Sequence, residues 1–287
     1  MENVIRDKIM KRLLNINASR IVNSILLLIG LLFFKPLAYF VALMMFLAGL
    51  TNYCLMEKIL QRLGFQNTCS TMSCDTEMKV YDVKEHWETI YQTKKSNEVS
   101  WHQEMPKTSL NLISEAKIDK NAKIIDIGGG DSNLVDNLLA IGFRNITVLD
   151  ISSNALSRAK KRLRSRANNV KWIVSDLREF ETNDKYDLWH DRAVLHFLIE
   201  KDDIRKYVEK VKQLLKPNGY LIISTFSKNG PKKCSGLDIK QYTEKSIKEL
   251  FSGFEHIKSF EEKHLTPWDA SQIFISSVFR KCSEKCH

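Results

Sequence analysis

The sequence predicts an α/β fold: a doubly wound, mostly parallel seven-stranded sheet preceded by a transmembrane α-hairpin. Three observations carry this expectation. Residues 124–131, Ile-Ile-Asp-Ile-Gly-Gly-Gly-Asp, read as a buried strand that ends in a tight turn and opens a helix. Three later strand-like tracts also close on an acid: 145–150 on Asp150, 170–177 near Asp176, and 186–191 on Asp191. Residues 21–50, by contrast, carry a single charge, Lys35.

The apolar N-terminal stretch divides at Lys35-Pro36, a poor helix interior and a good turn. The flanking runs, 19–34 and 37–56, approach the ~20 residues that cross a bilayer. A signal peptide would be one shorter apolar run followed by small residues. A soluble helix pair would show polar positions at helical spacing. Arg6, Lys8, Lys11, Arg12 and Arg20 precede the runs, and Lys58 and Arg62 follow them. The positive-inside bias then places both ends in the cytoplasm and the chain in the inner membrane as a multi-pass protein. Residues 3–16 fit either an interfacial helix on anionic lipid or a solvated leader. Residues 15–66 also resemble a small two-helix bacterial inner-membrane domain sometimes fused to rhodaneses. That match rests on the Asn17 to Arg20 approach, the paired apolar runs, and the tracts 50–55 and 63–65, with Cys54-Leu55 where that domain has Cys-Pro.

The organisation read from this is an anchor at 1–66, a linker at 67–80 and a catalytic-type domain at 81–287. The last is long enough for one well-buried core. Within it, glycine lets backbone approach a ligand closely, and the helix that follows offers unpaired N–H groups. Asp150 lies 24 residues beyond Asp126, where a ribose-binding carboxylate belongs in a dinucleotide-type βαβ unit. Acids at the carboxyl ends of successive parallel strands converge on one crevice. Residues 202–215 read as an amphipathic helix that buries Ile204, Tyr207, Val208, Val211 and Leu214. A Lys-Pro-Asn-Gly breaker at 216–219 precedes a fifth strand at 220–226. A helix begins at Thr243, and runs 254–260 and 272–279 form a closing antiparallel pair.

This series resembles the class I S-adenosylmethionine-dependent methyltransferases, with a Rossmann-like fold, over residues 78–281. The resemblance implies S-adenosylmethionine as cofactor. It places Gly128, Gly129 and Gly130 under the cofactor's amino-acid part, with Asp126 supporting the turn and the amino group. Asp150, with Ile151 beside it, takes the ribose hydroxyls, and Asp176 with Leu177 holds the adenine. The family's third glycine is Ser132 here. A dinucleotide enzyme or an inactive α/β domain is the alternative, although a pyrophosphate would prefer fewer acids nearby.

The tract 191–197 and the segment before the first strand supply acceptor-side candidates. Asp191 and His196 are the candidate catalytic pair, because imidazole suits proton removal near neutrality. Trp101, His102 and His264 are candidate substrate-binding residues. Tract 191–197 also resembles a branch that includes protein-lysine methyltransferases, but Asp191-Arg192-Ala193 departs from that branch's Asp-Lys-Gly. The six cysteines form no Cys-x-x-Cys pair, so no metal is assigned and reduced thiols are expected. Net charge is +10, and Arg158, Lys160, Lys161, Arg162, Arg164 and Arg166 crowd one tract. That tract fits a solvated face or anionic lipid better than nucleic acid, which has no module elsewhere in the chain. The expected function is a membrane-anchored methyltransferase for a small or lipophilic acceptor. A protein-lysine methyltransferase and a non-catalytic membrane adaptor are the alternatives.

Overall fold

The protein is described by a computed structural model covering residues 25–29, 31–32, 35–51 and 82–283. The chain divides into two compact units, Met1–Tyr81 and Asp82–His287. The expected interfacial helix at 3–16, the basic flanks, parts of both apolar runs and the linker at 67–80 lie outside the described residues.

The transmembrane hairpin is corrected by the first unit. Among the described residues no helix is long and apolar enough to cross a membrane. Residues 25–29 and 31–32 are helical. Helix α1 (Lys35–Thr51) has 17 residues and begins on the Lys35-Pro36 pair expected to form the outer turn. Proline is tolerated there because in the first turn of a helix it forfeits an N–H that has no intrahelical partner. At 1.5 Å per residue, the 17 described residues of this helix extend about 26 Å, against a ~30 Å hydrocarbon core. The membrane partner, the multi-pass inner-membrane placement, the cytoplasm-facing orientation and the rhodanese-type anchor all rested on that hairpin and fall with it.

The second unit is a seven-stranded sheet in the order β3-β2-β1-β4-β5-β9-β8. Strands β1 (Lys123–Ile127), β2 (Asn145–Asp150), β3 (Val170–Val174), β4 (Tyr186–Arg192) and β5 (Leu215–Phe226) run parallel. Strands β8 (Phe254–Leu265) and β9 (Ser271–Lys281) close the sheet antiparallel. Consecutive isoleucines in β1 follow from burial on both faces. Ile124, Ile146, Leu188 and Ile222 belong to a core shared with α3 (Lys107–Glu115), α4 (Leu134–Ala140) and α5 (Ser153–Leu163). Ile125, Trp189, Leu221 and Ile223 face the opposite core, shared with α6 (Lys201–Leu214) and α7 (Glu244–Leu250). Helix α6 buries the five residues expected of it, and Thr243 caps α7 through Ser246 N–H. Helix α2 (Val83–Thr93) precedes the sheet, with Asp82 as its N-cap.

Three details differ from expectation. The Lys-Pro-Asn-Gly tract lies inside β5 as an irregularity, since Leu215 pairs with Tyr186 and pairing resumes at Tyr220 opposite Leu188. Asn218 takes the left-handed conformation there, φ 62°. A small hairpin, β6 (Lys233–Cys234) with β7 (Leu237–Asp238), leaves the end of β5. Cys282 is disulfide-bonded, against the expectation of reduced thiols.

Two residues of the basic tract, Arg158 and Arg162, turn inward from α5, while Lys160, Lys161, Arg164 and Arg166 are exposed. Arg162 donates Nη1–H to Asp131 O at 2.7 Å and Nη2–H to Ser132 O at 2.8 Å, and its fork holds Asp136. Arg158 reaches Asp131 Oδ2 at 3.4 Å. These arginines clamp the segment that follows the glycine turn. Arg162→Met is expected to destabilise the second unit by about 1–3 kcal/mol, because two carbonyls and a carboxylate lose their donor. Denaturant unfolding of the full chain checks this, and an unchanged midpoint would show that the clamp is dispensable.

Candidate functional site

The parallel register sets the site. Ile127 pairs with Leu149 across β1 and β2, so Asp126 and Asp150 end on the same edge. The glycine turn folds back over that edge, where Gly129 N–H donates to Leu149 O at 3.2 Å. A Cβ on Gly129 would lie 2.6 Å from both Asp126 Oδ2 and Val148 Cγ1. Gly130 has φ 50°, and a Cβ there would meet the Tyr91 hydroxyl at 2.6 Å. Backbone therefore forms the floor of the crevice, as a closely approaching ligand requires.

The acids around the turn are buried, and each is differently held. Asp126 accepts from His190 Nδ1 at 2.7 Å, and His190 Nε2 meets Ser109 Oγ at 2.9 Å. Asp150 accepts the Ser152 N–H at 2.8 Å. Burial pushes its pKa up to about 7, against the opposing N–H groups of Ser152 and Gly130 and with added repulsion from Asp131 and Asp126. Ser175 N–H donates to Asp150 O at 3.0 Å, which places the end of β3 alongside. There Asp176 sits in the fork of Arg178, whose Nη2 lies 2.6 Å away. Burial would raise the Asp176 pKa, but the Arg178 side chain and N–H more than offset it and lower it. Ile151 is half-buried and Leu177 buried on either side.

Helix α2 docks against this edge through Glu88. Its carboxylate accepts from Ser152 Oγ (2.8 Å), Ser153 N–H (2.7 Å) and Asn154 N–H (3.0 Å), the opening of α5. Burial works to raise the Glu88 pKa, but these donors bring it down to about 2. This is anion capture at a helix N-terminus, supplied by another helix of the same domain. It holds Trp87 and Tyr91 on the site: Trp101 meets Trp87 and Tyr91 edge-on, with centroids 5.7 and 6.2 Å apart.

A second cluster forms beyond β4. Arg192 donates Nη1–H to Trp101 O at 3.0 Å and lies over the Phe274 ring. His264 Nε2–H donates to Ser100 O at 2.6 Å, and its Nδ1 faces Gln103 Nε2 at 3.4 Å. The structure thus brings Trp101, His102 and His264 together, with His102 half-buried between Trp101 and Gln103. The candidate catalytic pair is arranged otherwise. Asp191 is fully buried, accepts from Tyr207 OH at 2.7 Å and Val194 N–H at 2.9 Å, and burial raises its pKa to about 6. His196 is fully buried and stacks on Phe226 with centroids 4.5 Å apart. Neither of its ring nitrogens has a hydrogen-bond partner. Burial, then the charge of Arg192, pushes its pKa down to about 3. Glu88, Tyr91, Phe226, Phe274 and the β6–β7 hairpin were not singled out from the sequence. Of these, only Glu88 and Tyr91 carry a signal of their own, lying at helical spacing on one face of α2.

Residues 125–221 match the model of a methyltransferase domain. Among curated relatives, nodulation protein S of Rhizobium fredii is 29% identical over 82 residues, covering 29% of this chain and 46% of its own length. The EEF1A lysine methyltransferase 2 of Danio rerio is 26% identical over 204 residues, covering 66% of this chain and 82% of its own. This chain therefore spans less than half the length of the nodulation relative. Among solved structures, a SAM-dependent methyltransferase of Anabaena variabilis superposes with a TM-score of 0.55 at 17% identity, over 70% of this chain and 95% of that one. The N-methyltransferase NodS of Bradyrhizobium japonicum, in complex with S-adenosyl-L-homocysteine, gives 0.54 at 18%, over 68% and 97%. At these identities the superpositions show the fold. With the family match, they make the second unit an S-adenosylmethionine-dependent methyltransferase domain, with S-adenosylmethionine as its cofactor.

The docking of α2 on the methyltransferase domain has a direct consequence. Glu88→Ala removes three charge-assisted acceptor contacts and should cost on the order of 1–2 kcal/mol. Amide hydrogen exchange across Val83–Thr93 should accelerate selectively. Unchanged exchange in that helix would mean that the aromatic contacts alone hold it.

Proposed function

We propose that this protein transfers the methyl group of S-adenosylmethionine to a nucleophilic atom of a small molecule bound beside Arg192. One observation carries the reading. The buried acid–glycine–acid edge of β1 and β2 is joined through Tyr91 to the half-buried cluster of Trp87, Trp101 and Arg192 at the end of β4.

The residues present fit the cofactor. The turn has no room for a Cβ at Gly129 or Gly130, where Asp126, Val148 and Tyr91 already pack against the backbone. Asp150 has N–H donors but no cation partner, which suits the hydroxyls of a ribose. Asp126 Oδ2 underlies the turn, on the side proposed for the amino-acid part of the cofactor. Ile151 and Leu177 flank the position proposed for the adenine. There Asp176 shares its carboxylate with Arg178, so an adenine amino group must be accepted alongside that guanidinium.

When bound, the sulfonium supplies an electrophilic methyl group whose C–S bonding pair returns to sulfur as the acceptor's lone pair takes the carbon. The protein's part is alignment and exclusion of water. Trp87, Tyr91 and Trp101 cover the crevice, and Asp191 is a positioning residue that shapes the turn at Val194. His196 forms an aromatic wall. A neutral enclosed imidazole with its pKa pushed to about 3 is a poor base, so an acceptor proton leaves to solvent. The name of the Danio rerio relative puts a lysine side chain among the possible acceptors. The smaller acceptor is favoured because α2 reaches Phe197 through Trp87 and the β6–β7 hairpin through His86 and Ser235.

Calorimetry with the full chain tests cofactor binding. Release of S-adenosylhomocysteine in the presence of fractionated small-molecule extracts tests turnover. Binding without turnover on any extract, combined with turnover on a protein fraction, would replace the small molecule by a protein acceptor.

The buried state of Asp150 sets a pH dependence. Ribose hydroxyls require its ionised form, while the free protein protonates it below about 7. Affinity for S-adenosylmethionine should fall as pH drops from 8 to 6, approaching tenfold per unit below the pKa. Asp150→Asn should bind weakly, by on the order of tenfold or more, with a flat profile. A wild-type profile that is already flat would remove Asp150 from the ribose.

A further inference from the structure

Arg192 is a partly buried cation for which the protein supplies no anion. Its one hydrogen bond among the described residues goes to a neutral group, the carbonyl of Trp101, and it forms no ion pair among them. Two acids act on it electrostatically, Glu262 and Asp126. Both are committed elsewhere: Glu262 to Thr108 and Ser276, Asp126 to His190. A guanidinium has five N–H donors in a fixed fork, and removing it from water without a counter-charge is costly. Burial lowers its pKa to about 10, the sign of a cation short of a partner.

The surroundings point the same way. His196, Cys234 and His264 all feel the Arg192 charge, so three separate elements converge on it. Both nitrogens of the fully buried His196 lack partners, which leaves a second unmet polar group in the cluster. The remaining walls are aromatic: Trp87 meets Phe197 at 5.2 Å, and Phe274 lies under the guanidinium.

We propose that Arg192 binds a carboxylate of the methyl acceptor, so that the acceptor is a small organic acid with a flat apolar body. This rests on the methyltransferase reading of the same site. A carboxylate matches the fork in charge and shape. A phosphate dianion would bring a second negative charge toward Glu262 and Asp126 with no further cation to meet it. The aromatic walls select the body, and the guanidinium selects the acid. Arg192 is in this sense a substrate-binding residue that fixes which end of the acceptor faces the β4 edge.

The test uses the full chain saturated with S-adenosylhomocysteine and titrated calorimetrically with benzoate and with benzamide, its neutral isostere. Benzoate should bind at least about tenfold more tightly than benzamide, as charge-assisted bonding to one side chain allows. In Arg192→Gln that preference should collapse to about one, with S-adenosylhomocysteine affinity retained as proof of folding. Without any substitution, benzoate but not benzamide should slow modification of Arg192 by phenylglyoxal, read by peptide mass. Equal binding of the two probes, no binding of benzoate, or a preference that survives Arg192→Gln would each overturn the proposal. Failure of the unsubstituted chain to bind S-adenosylhomocysteine would instead strike the methyltransferase reading beneath it.

Discussion

Three carboxylates, Asp126, Asp131 and Asp150, are buried around one glycine turn, and their removal from water is the constraint that the rest of the domain answers. Each is managed by a different element. His190 on β4, backed by Ser109 on α3, holds Asp126. Arg158 on α5 and the Ser96 hydroxyl hold Asp131. Asp150 accepts from N–H groups, which offset only part of the cost of burial, so its pKa is pushed up to about 7. A carboxyl whose folded pKa lies above its unfolded value favours the protonated native state, so its contribution weakens the fold as pH rises between about 4 and 7. That is an expensive place to keep an acid unless a ligand meets it. The helices that pack on the sheet are therefore also counter-charges and donors for its carboxyl edge.

Most of the architecture was legible because it follows from local rules. The isoleucine runs, the acids closing four strands and the amphipathic face of α6 each state their environment directly. The N-terminal reading failed on length: apolar runs suggested spans, yet among the described residues no helix is long and apolar enough to cross a membrane. The residues of the proposed cofactor edge stand out locally, at the ends of β1, β2 and β3. On the proposed acceptor side the sequence singles out Trp101 and His264 but not Arg192 or Cys234. Trp101, Arg192, Cys234 and His264 are scattered over some 160 residues and meet only because antiparallel β8 and β9 return beside β5. Nothing in the sequence near Glu88 says that the helix it caps is α5.

His196 and Asp191 show how far the placement of a residue in the fold can differ from its place in a tract. Both are ionisable residues at the end of β4, which is where chemistry is sought. Which face a residue takes depends on strand parity. Asp191 turns toward Tyr207 and the α6 core, while Arg192 turns toward Trp101.

That parity bears on how the gene can change in length. Within β4 a single inserted or deleted codon would exchange the two faces, sending a guanidinium into the α6 core and a carboxylate into the aromatic cluster. Between α6 and the paired part of β5, the excursion at Lys216 to Gly219 already interrupts the ladder, and pairing restarts at Tyr220 whatever precedes it. Gain or loss of a residue there can be absorbed without turning Ile222 or Ser224 over. The domain thus has one strand where the reading frame of inside and outside is rigid, and beside it a slack loop where length can drift while the chemistry stays in register.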